Sequence, residues 1–493
     1  MFKELKRFGK HSSIYGIGVV ISRAIGFLMI PIYTRYLTPS DYGIIELLDL
    51  SFNIISTILI SGIGMGIFKI YFDDDIGGKE VISTALIFNI IIVILSVLLL
   101  SCFADKVCFL FFGHTEYIHF FKIVFITLIA EVSLSVPFIY LRAKERSIFF
   151  TGLSIFRLII GLVLNIYFIA FLKIGIKGVL YSALISGYLT CGIIIPLIIK
   201  EVGVSFSYHK LKKILVYGLP IIPASLCSIA LCFPDRFFLR YFLGLNELGL
   251  YSLGYKLGIV LLILIISPFI QNWNAFIFSI QKKEDAAEIF SKILTYFTFI
   301  LIFIGLGISI LSKDALKIIA TPSFFDAYKV VPLLVLGNIF LGINYVFQVG
   351  IYLKSKTKWL PYINGIGLVI NIFLNWLLIP IAGKIGASLT YFITYFLIGL
   401  ITYLISTKYY YISYEFNRIL KLAAVGILIY LLSNLVVTSS ILYSILLKGM
   451  LIISFPLLLH FLNFYNPEER NMIKEFINVK NKNGGFFWKR FQK

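Results

Sequence analysis

Apolar runs about 20 residues long, separated by short polar segments, recur along the whole chain. A helix of that length crosses the hydrocarbon core of a membrane. The pattern therefore predicts an all-α, polytopic membrane protein with fourteen transmembrane helices. We place these spans at 13–34, 43–68, 81–104, 120–141, 149–172, 176–199, 213–234, 248–271, 289–312, 329–353, 359–381, 385–406, 419–438 and 440–463.

Composition and charge agree with this class of protein. Of the 493 residues, 59% are hydrophobic and 14% charged, and a soluble fold has no way to cover so much apolar surface. The formal net charge is +20. Most lysines and arginines lie in alternate loops and at both termini, which the positive-inside rule assigns to the cytoplasm. The charge therefore indicates membrane topology and no nucleic acid partner. No metal-ligand spacing occurs, and we expect no cofactor.

Four short motifs recur in the same order later in the chain. Six spans separate the copies, so both copies enter the membrane from the same side and form a parallel repeat. The copies are Arg35 and Gly43 with Arg240 and Gly249, 140–144 with 352–356, 161–166 with 367–372, and 178–185 with 386–393, at offsets of 205 to 212.

This repeat predicts four regions. Residues 1–200 form an N-lobe of six spans, and residues 201–406 form a C-lobe of six spans. Residues 407–463 add two spans outside the repeat. Residues 464–493 are a basic tail on the cytoplasmic side, which we expect to lie on anionic lipid headgroups. Two matched lobes with a polar seam are typical of an alternating-access transporter.

Charged residues near the first external corner indicate a polar interior between helices. Arg23 lies inside the first span, and Glu46 and Asp49 lie three residues apart on one face of the second. Such charges are costly unless they face protein or water. Arg23 either binds an anionic substrate group or pairs with Glu46 or Asp49. The two acids are either partners of this arginine or a cation or proton site.

Other charges occur at similar depth in later spans. Arg157 lies too deep to reach the surface easily, and we expect Glu131 to neutralise it, with a proton-carrying role for Glu131 as the alternative. Lys256 follows the second-lobe counterparts of the acid pair, and it either contacts a phosphate or snorkels to the interface. Lys448 is expected to snorkel, with a groove for a lipid tail as the alternative.

Arg35 and Arg240 occupy matched corners that the topology places outside the membrane. We interpret both as structural. The predicted partner of Arg35 is Asp41, and that of Arg240 is Asp235 or Glu247.

The segments SRAIG at 22–26 and PIYTRYLTPSDYG at 31–43, together with fourteen spans, resemble Wzx-type oligosaccharide repeat-unit flippases. These are the O-antigen and capsule branch of the multidrug/oligosaccharidyl-lipid/polysaccharide (MOP) exporter superfamily. The resemblance implies two six-helix bundles around a central cavity and a location in the bacterial cytoplasmic membrane. It also implies a transporter, not an enzyme, whose substrate is a short oligosaccharide on undecaprenyl pyrophosphate, flipped from the cytoplasmic to the outer leaflet. Arg23, Arg157 and Lys256 would then bind the pyrophosphate and glycan.

Two other functions stay open. One is an ion-coupled exporter of cationic drugs, which would need an acid-dominated cavity. The other is a membrane glycan polymerase or glycosyltransferase, which usually carries catalytic acids on a long external loop, whereas the loops here are short. Candidate partners besides the lipid-linked oligosaccharide are membrane lipids, a glycan polymerase and chain-length machinery.

Overall fold

The structure of the protein is a computed structural model that describes residues 29–73, 78–144, 146–219, 222–223, 226, 230–231, 233–354, 356–436, 438, 440–467 and 469–470. Within these ranges the chain forms helices joined by short turns and no β-strand. The all-α fold class is confirmed.

The first eight helices precede residue 220. They are α1 (Ile30–Tyr36), α2 (Pro39–Asp73), α3 (Gly78–Cys102), α4 (Ala104–Phe112), α5 (Ile118–Ala143), α6 (Ser147–Ile166), α7 (Ile176–Val202) and α8 (Tyr208–Gly218). The later helices are α9 (Pro234–Leu243), α10 (Leu245–Gly258), α11 (Ser267–Ile280), α12 (Ala286–Ile319), α13 (Val331–Phe347), α14 (Val349–Leu353), α15 (Trp359–Tyr409), α16 (Phe416–Asn434) and α17 (Ile441–Phe461). Two π-helical turns, Tyr167–Phe171 and Leu262–Ile266, follow α6 and α10, and a 3₁₀ helix, Pro322–Val330, precedes α13.

The helices agree with the predicted spans. Among the described residues, eleven segments are long and apolar enough to cross a membrane. One of them, Trp359–Tyr409, covers the two predicted spans 359–381 and 385–406. The backbone breaks between these two spans, at Gly383. The predicted spans 13–34 and 213–234 fall partly outside the described residues. The protein is therefore a multi-pass membrane protein.

Glycines at two matched turns show that the internal repeat extends to the backbone. Gly175 precedes α7 with φ 60° and ψ −134°, and Gly383 breaks α15 with φ 60° and ψ −138°. These torsions lie in a region that side-chain-bearing residues rarely adopt. The two glycines are 208 residues apart, the same offset as that between Gly178 and Gly386. The turn between the fifth and sixth spans of each copy therefore has one geometry.

A second pair of repeat-related glycines, Gly43 in α2 and Gly249 in α10, lies at a helix crossing. A Cβ atom on Gly43 would overlap the carbonyl oxygen of Leu245, and one on Gly249 would overlap the carbonyl oxygen of Pro39. Pro39 and Leu245 are also 206 residues apart, so the contact is reciprocal. Such a self-complementary contact is the mark of a two-fold relation. At these positions only glycine lets the two backbones touch.

The chain forms two compact units. Unit 1 comprises Met1–Lys256, Ala315–Leu333 and Lys358–Ile398, and unit 2 comprises Leu257–Asp314, Leu334–Thr357 and Gly399–Lys493. The core of unit 1 includes Ile67, Leu141 and Ile198, each at most 1% exposed. The division into two six-span lobes stays a prediction.

In unit 2, the two helices outside the repeat pack on α12. Leu422 and Ile429 of α16 and Phe455 of α17 are fully buried in one apolar cluster with Leu306 and Ile310 of α12. The residues assigned to the added spans thus share a core with a helix of the repeat.

The expectation that Lys448 snorkels is wrong. Lys448 is 6% exposed, and its Nζ lies 2.5 Å from the Oδ2 of Asp314, which is 2% exposed. Ser444 donates a second hydrogen bond of 3.1 Å to the same carboxylate. A buried lysine with a carboxylate at this distance is held by the protein, since leaving either charge alone in an apolar interior would cost several kcal/mol.

Candidate functional site

The turn between α1 and α2 is stabilised by hydrogen bonds between Thr38 and Asp41. The backbone N–H and the hydroxyl of Thr38 donate to Asp41 Oδ2 at 2.9 and 2.8 Å, and the N–H of Asp41 donates to Thr38 Oγ1 at 3.2 Å. This reciprocal capping supplies partners for the free N–H groups at the start of α2. The carboxylate of Asp41 therefore caps the helix instead of pairing with Arg35, which is exposed.

Further along α2, Glu46 forms an ion pair with Arg236, which is not among the predicted site residues. Its Oε1 accepts a hydrogen bond of 3.0 Å from Nε of Arg236 in α9. The side chains are 13% and 1% exposed. Because Glu46 belongs to the predicted N-lobe and Arg236 to the predicted C-lobe, this buried pair joins the two copies of the repeat inside unit 1.

The guanidinium of Arg236 is held from several sides. Its Nη1 donates to Oδ1 of Asp235 at 3.0 Å, and the hydroxyl of Tyr251 donates to the other oxygen of that carboxylate. The rings of Tyr255 and Phe233 lie 4.4 and 4.9 Å from the guanidinium carbon. Arginine tolerates burial when carboxylates and aromatic faces surround it in this way.

Lys256 and Asp49 lie next to this network. The Nζ of Lys256 in α10 is 4.6 Å from the ring centre of Tyr42 in α2, and Tyr42 is 2% exposed. Asp49 is exposed, although it lies only one turn after Glu46 on the same helix. The two acids of α2 therefore differ in environment: Glu46 is bound to an arginine, whereas Asp49 faces open space.

Arg157 lines a separate pocket in unit 1 that has both polar and apolar walls. Its Nη2 is 2.5 Å from Oε2 of Glu131 in α5, which confirms the predicted pairing. The side chains of Arg157 and Glu131 are 25% and 30% exposed, so both charged groups are only partly buried. The pocket has a volume of about 430 Å³. Its polar lining residues are Arg157, Ser154, Asn165 and Ser186, and apolar ones include Met29, Phe138 and Leu162.

Asn165 differs from its repeat counterpart, Asn371. Asn371 is 4% exposed and donates to Thr394 Oγ1 at 3.2 Å, and Asn375 donates to Asn371 Oδ1 at 2.9 Å. In contrast, the buried Oδ1 of Asn165 accepts no hydrogen bond from the described residues. A buried amide oxygen without a donor is uncommon in native proteins.

The structure separates the predicted site residues into two groups. Glu46, Asp49 and Lys256 lie with Arg236 near the α2–α10 crossing, whereas Arg157, paired with Glu131, lines the pocket. Arg23 lies outside the described residues.

Arg240 does not have the partners that the sequence predicted. Asp235 pairs with Arg236, and Glu247 lies 2.9 Å from Nζ of Lys384, which directly follows the glycine turn in α15. Arg240 itself packs against Gly113. Arg236 was not predictable as a site residue because it lies two residues beyond the predicted span 213–234. The aromatic residues close to Arg236 in the sequence were the signal that could have indicated a buried arginine, since aromatic faces often shelter arginine.

The chain matches a known protein family. The sequence profile of a family described as polysaccharide biosynthesis protein matches residues 32–329, more than half of the chain. The chain belongs to this family. A curated relative, an uncharacterised membrane protein of Methanocaldococcus jannaschii, is 26% identical over 217 residues. That match spans 42% of the present chain and 41% of the length of the relative.

Solved structures show the same fold. The lipid II flippase MurJ superposes with a TM-score of 0.72 at 16% identity, covering 90% of this chain and 98% of MurJ. An inward-facing multidrug resistance MATE transporter of the MOP superfamily gives 0.64 at 16% identity, covering 80% and 97%. The Vibrio cholerae MATE transporter VcmN gives 0.57 at 14% identity, covering 82% and 96%. This polysaccharide biosynthesis protein therefore has the fold shared by MurJ and the MATE transporters.

Proposed function

We propose that the protein flips undecaprenyl-pyrophosphate-linked oligosaccharide repeat units from the cytoplasmic to the outer leaflet of the bacterial inner membrane, with both termini in the cytoplasm. The observation that carries this proposal is Arg157 at the wall of a pocket that combines apolar side chains with the polar groups of Ser154, Asn165 and Ser186. A guanidinium grips a phosphate with two hydrogen bonds, and amide and hydroxyl groups such as those of Asn165 and Ser186 match sugar hydroxyls.

Binding would begin with an exchange of partners at Arg157. Glu131 holds the guanidinium in place and lowers the cost of its burial. An incoming pyrophosphate competes with this carboxylate for the same N–H donors, so no new cation has to be desolvated. Arg23 and Lys256 are the further cations proposed to meet the headgroup, while the lipid tail stays in the bilayer.

Transport would then require the external ends of the two six-span lobes to separate. The Gly43–Gly249 crossing and the Glu46–Arg236 pair join residues of different repeat copies, and both lie at the predicted external end. Separating a buried ion pair costs about 3–5 kcal/mol when the charges stay unpaired. Substrate binding or exchange of an ion would offset this cost. The exposed Asp49 is the proposed ion site.

A double-variant test separates substrate binding from a structural role of the Arg157–Glu131 pair. In a deletion strain, Arg157→Gln should abolish surface glycan and accumulate lipid-linked oligosaccharide, with normal amounts of protein in the membrane. Glu131→Gln should retain part of the glycan, because the guanidinium is still present.

The double variant Glu131→Gln/Arg157→Gln decides the matter, because it leaves no unpaired charge. If the pair is only structural, the double variant restores glycan to the wild-type level, and the proposal fails. Under the proposal it stays as inactive as Arg157→Gln.

An ion-coupled drug exporter is the second candidate, favoured by the structural similarity to MATE transporters. Of the three acids inside the predicted spans, Glu46 and Glu131 are bound to arginines, which leaves Asp49 as the exposed one. Increased resistance to cationic drugs on overexpression, lost in Asp49→Asn, would favour this function over glycan flipping.

A further inference from the structure

A groove distinct from the sites above lies in unit 1, between the end of α2 and helix α8. Its volume is about 460 Å³. It is lined by Ile70 from α2 and by His209, Lys212, Lys213, Val216 and Tyr217 from α8. The topology places it at the cytoplasmic surface of the membrane, because the loop before α8 is on the lysine- and arginine-rich side.

Helix α8 is fixed against α2 by its opposite face. Leu211 and Ile214 are 6% and 1% exposed, and Ile214 packs in the core of unit 1. At Gly66 the two helices cross so closely that an added Cβ would lie 2.9 Å from a side-chain carbon of Ile214. Ile70 lies one turn beyond this crossing on the same face of α2. The groove is thus a gap between two helices whose crossing is rigid.

The cations of α8 are divided between its faces. Lys210 points to Glu80 of α3, with 2.9 Å between Nζ and the carboxylate. His209, Lys212 and Lys213 line the groove, and no carboxylate of the described residues lies within 4 Å of them. These three side chains therefore face the groove without a carboxylate partner among the described residues.

The groove changes from cationic to apolar along one face of the helix. Lys212 and Lys213 are exposed, and about one turn later Val216 and Leu219 are exposed by 67% and 55%. Three to four residues of helix rise about 5 Å. A membrane lipid has the same order of groups over a similar distance, since its phosphate lies directly above its acyl chains. A soluble phosphate would not require the apolar half.

We propose that this groove binds the phosphate headgroup of an anionic glycerophospholipid of the cytoplasmic leaflet, with Lys212 and Lys213 on the phosphate and Val216 beside the acyl chain. Each lysine near an anionic lipid surface adds roughly a fivefold gain in affinity. The site is separate from the proposed glycan pathway, and its occupancy can be measured without transport.

The test uses the purified full-length protein in detergent and fluorescent phosphatidylglycerol, with phosphatidylcholine as the uncharged comparison. Lys212→Gln/Lys213→Gln should weaken phosphatidylglycerol binding by about tenfold or more and leave phosphatidylcholine unchanged. Lys282→Gln/Lys283→Gln is the matched control, because it removes the same charge from exposed lysines outside the groove. This control should bind like the wild type.

Val216→Trp distinguishes binding in the groove from non-specific attraction to surface charge, because it fills the apolar half of the groove and keeps every lysine. It should weaken binding to a similar extent as the double lysine variant. Unchanged binding by Val216→Trp would overturn the proposal in favour of non-specific attraction.

Three other results would also overturn it. Displacement by millimolar inorganic phosphate would mean a soluble-anion site. A preference of tenfold or more for undecaprenyl phosphate would assign the groove to the transported lipid. Binding that appears only in Asp74→Asn/Asp75→Asn would mean that the acidic segment following α2 in the chain competes with lipid for the lysines.

Discussion

Arg236 and Glu46 lie 190 positions apart in the chain, yet their side chains form a buried ion pair of 3.0 Å that joins the two copies of the repeat. Arg236 has a second carboxylate, Asp235, also at 3.0 Å. One cation thus neutralises two buried acids. Removing Arg236 is therefore expected to destabilise the protein more than removing Glu46.

Arg236→Met should destabilise the protein more than Glu46→Gln. The first change removes the arginine from two buried carboxylates, Glu46 and Asp235, at a cost of about 3–5 kcal/mol. The second leaves Arg236 paired with Asp235, so the loss should be about 1–3 kcal/mol. Thermal unfolding of the purified variants in detergent measures both. Equal losses would mean that the pairing of Arg236 with Asp235 adds no stability to that of the Glu46–Arg236 pair.

Gly43→Ala and Gly249→Ala should each lower stability and surface glycan, because the added methyl group meets backbone atoms of the other helix. Overpacking of this kind typically costs about 1–3 kcal/mol. Gly192→Ala and Gly365→Ala are matched controls in α7 and α15, since a Cβ there meets no atom within 4 Å. The controls should be as stable as the wild type. A loss in all four would point to backbone flexibility, not to the crossing.

Lys448 and Asp314 should show strong coupling in a double-mutant cycle. Lys448→Met and Asp314→Asn each leave a buried polar or charged group without its partner, and the lysine variant should lose about 3–5 kcal/mol. The double variant should lose less than the sum of the two single losses. Lys317→Met, an exposed lysine of α12, is the control and should have little effect. Additive losses would show that the pair does not stabilise the packing of α17 on α12.

Glu469, which follows the last span, should make stability dependent on pH. Burial alone would raise the pKa of Glu469, but hydrogen bonds from the Tyr296 hydroxyl and the Asn466 N–H, together with Arg418 at 2.9 Å, hold this pKa below its ordinary value. A carboxyl group with a lowered folded-state pKa stabilises the protein above its unfolded pKa of about 4.3, and the contribution disappears as the pH falls through the folded-state value.

The measurement is the difference in thermal midpoint between the wild type and Glu469→Gln. This difference should be constant between about pH 7 and 5 and should shrink below about 4.3. Because other acids titrate equally in both proteins, they cancel in the difference. A difference that grows towards low pH would contradict the assignment.

The sequence predicted the spans, the repeat and one charge pair. Spans are predictable because about 20 apolar residues have few alternatives to crossing a bilayer. Glu131 and Arg157 were predictable as partners because two charges deep in neighbouring spans have few other groups to neutralise them. The matched glycine turns at Gly175 and Gly383 extend the repeat that the motifs around Gly178 and Gly386 had indicated.

Partners that depend on which helix faces reach each other were not predictable. Glu46 was expected to pair with Arg23 or to form an ion site, whereas its partner in the structure is Arg236, next to a predicted span boundary. Lys448 was expected to snorkel, but Asp314 of α12 lies beside it. A single sequence shows the depth of a charge along its own helix and does not show the rotation of the neighbouring helix.

By itself, then, the sequence determined that the protein is a helical membrane protein with a duplicated set of spans, because hydrophobic length and repetition are properties of the chain alone. Only the tertiary structure decided which charges meet, that Gly43 and Gly249 form a reciprocal crossing, and that Lys212 and Lys213 face a groove while Lys210 faces Glu80. These outcomes depend on contacts between residues far apart in the chain, and their geometry is set by the packing of whole helices.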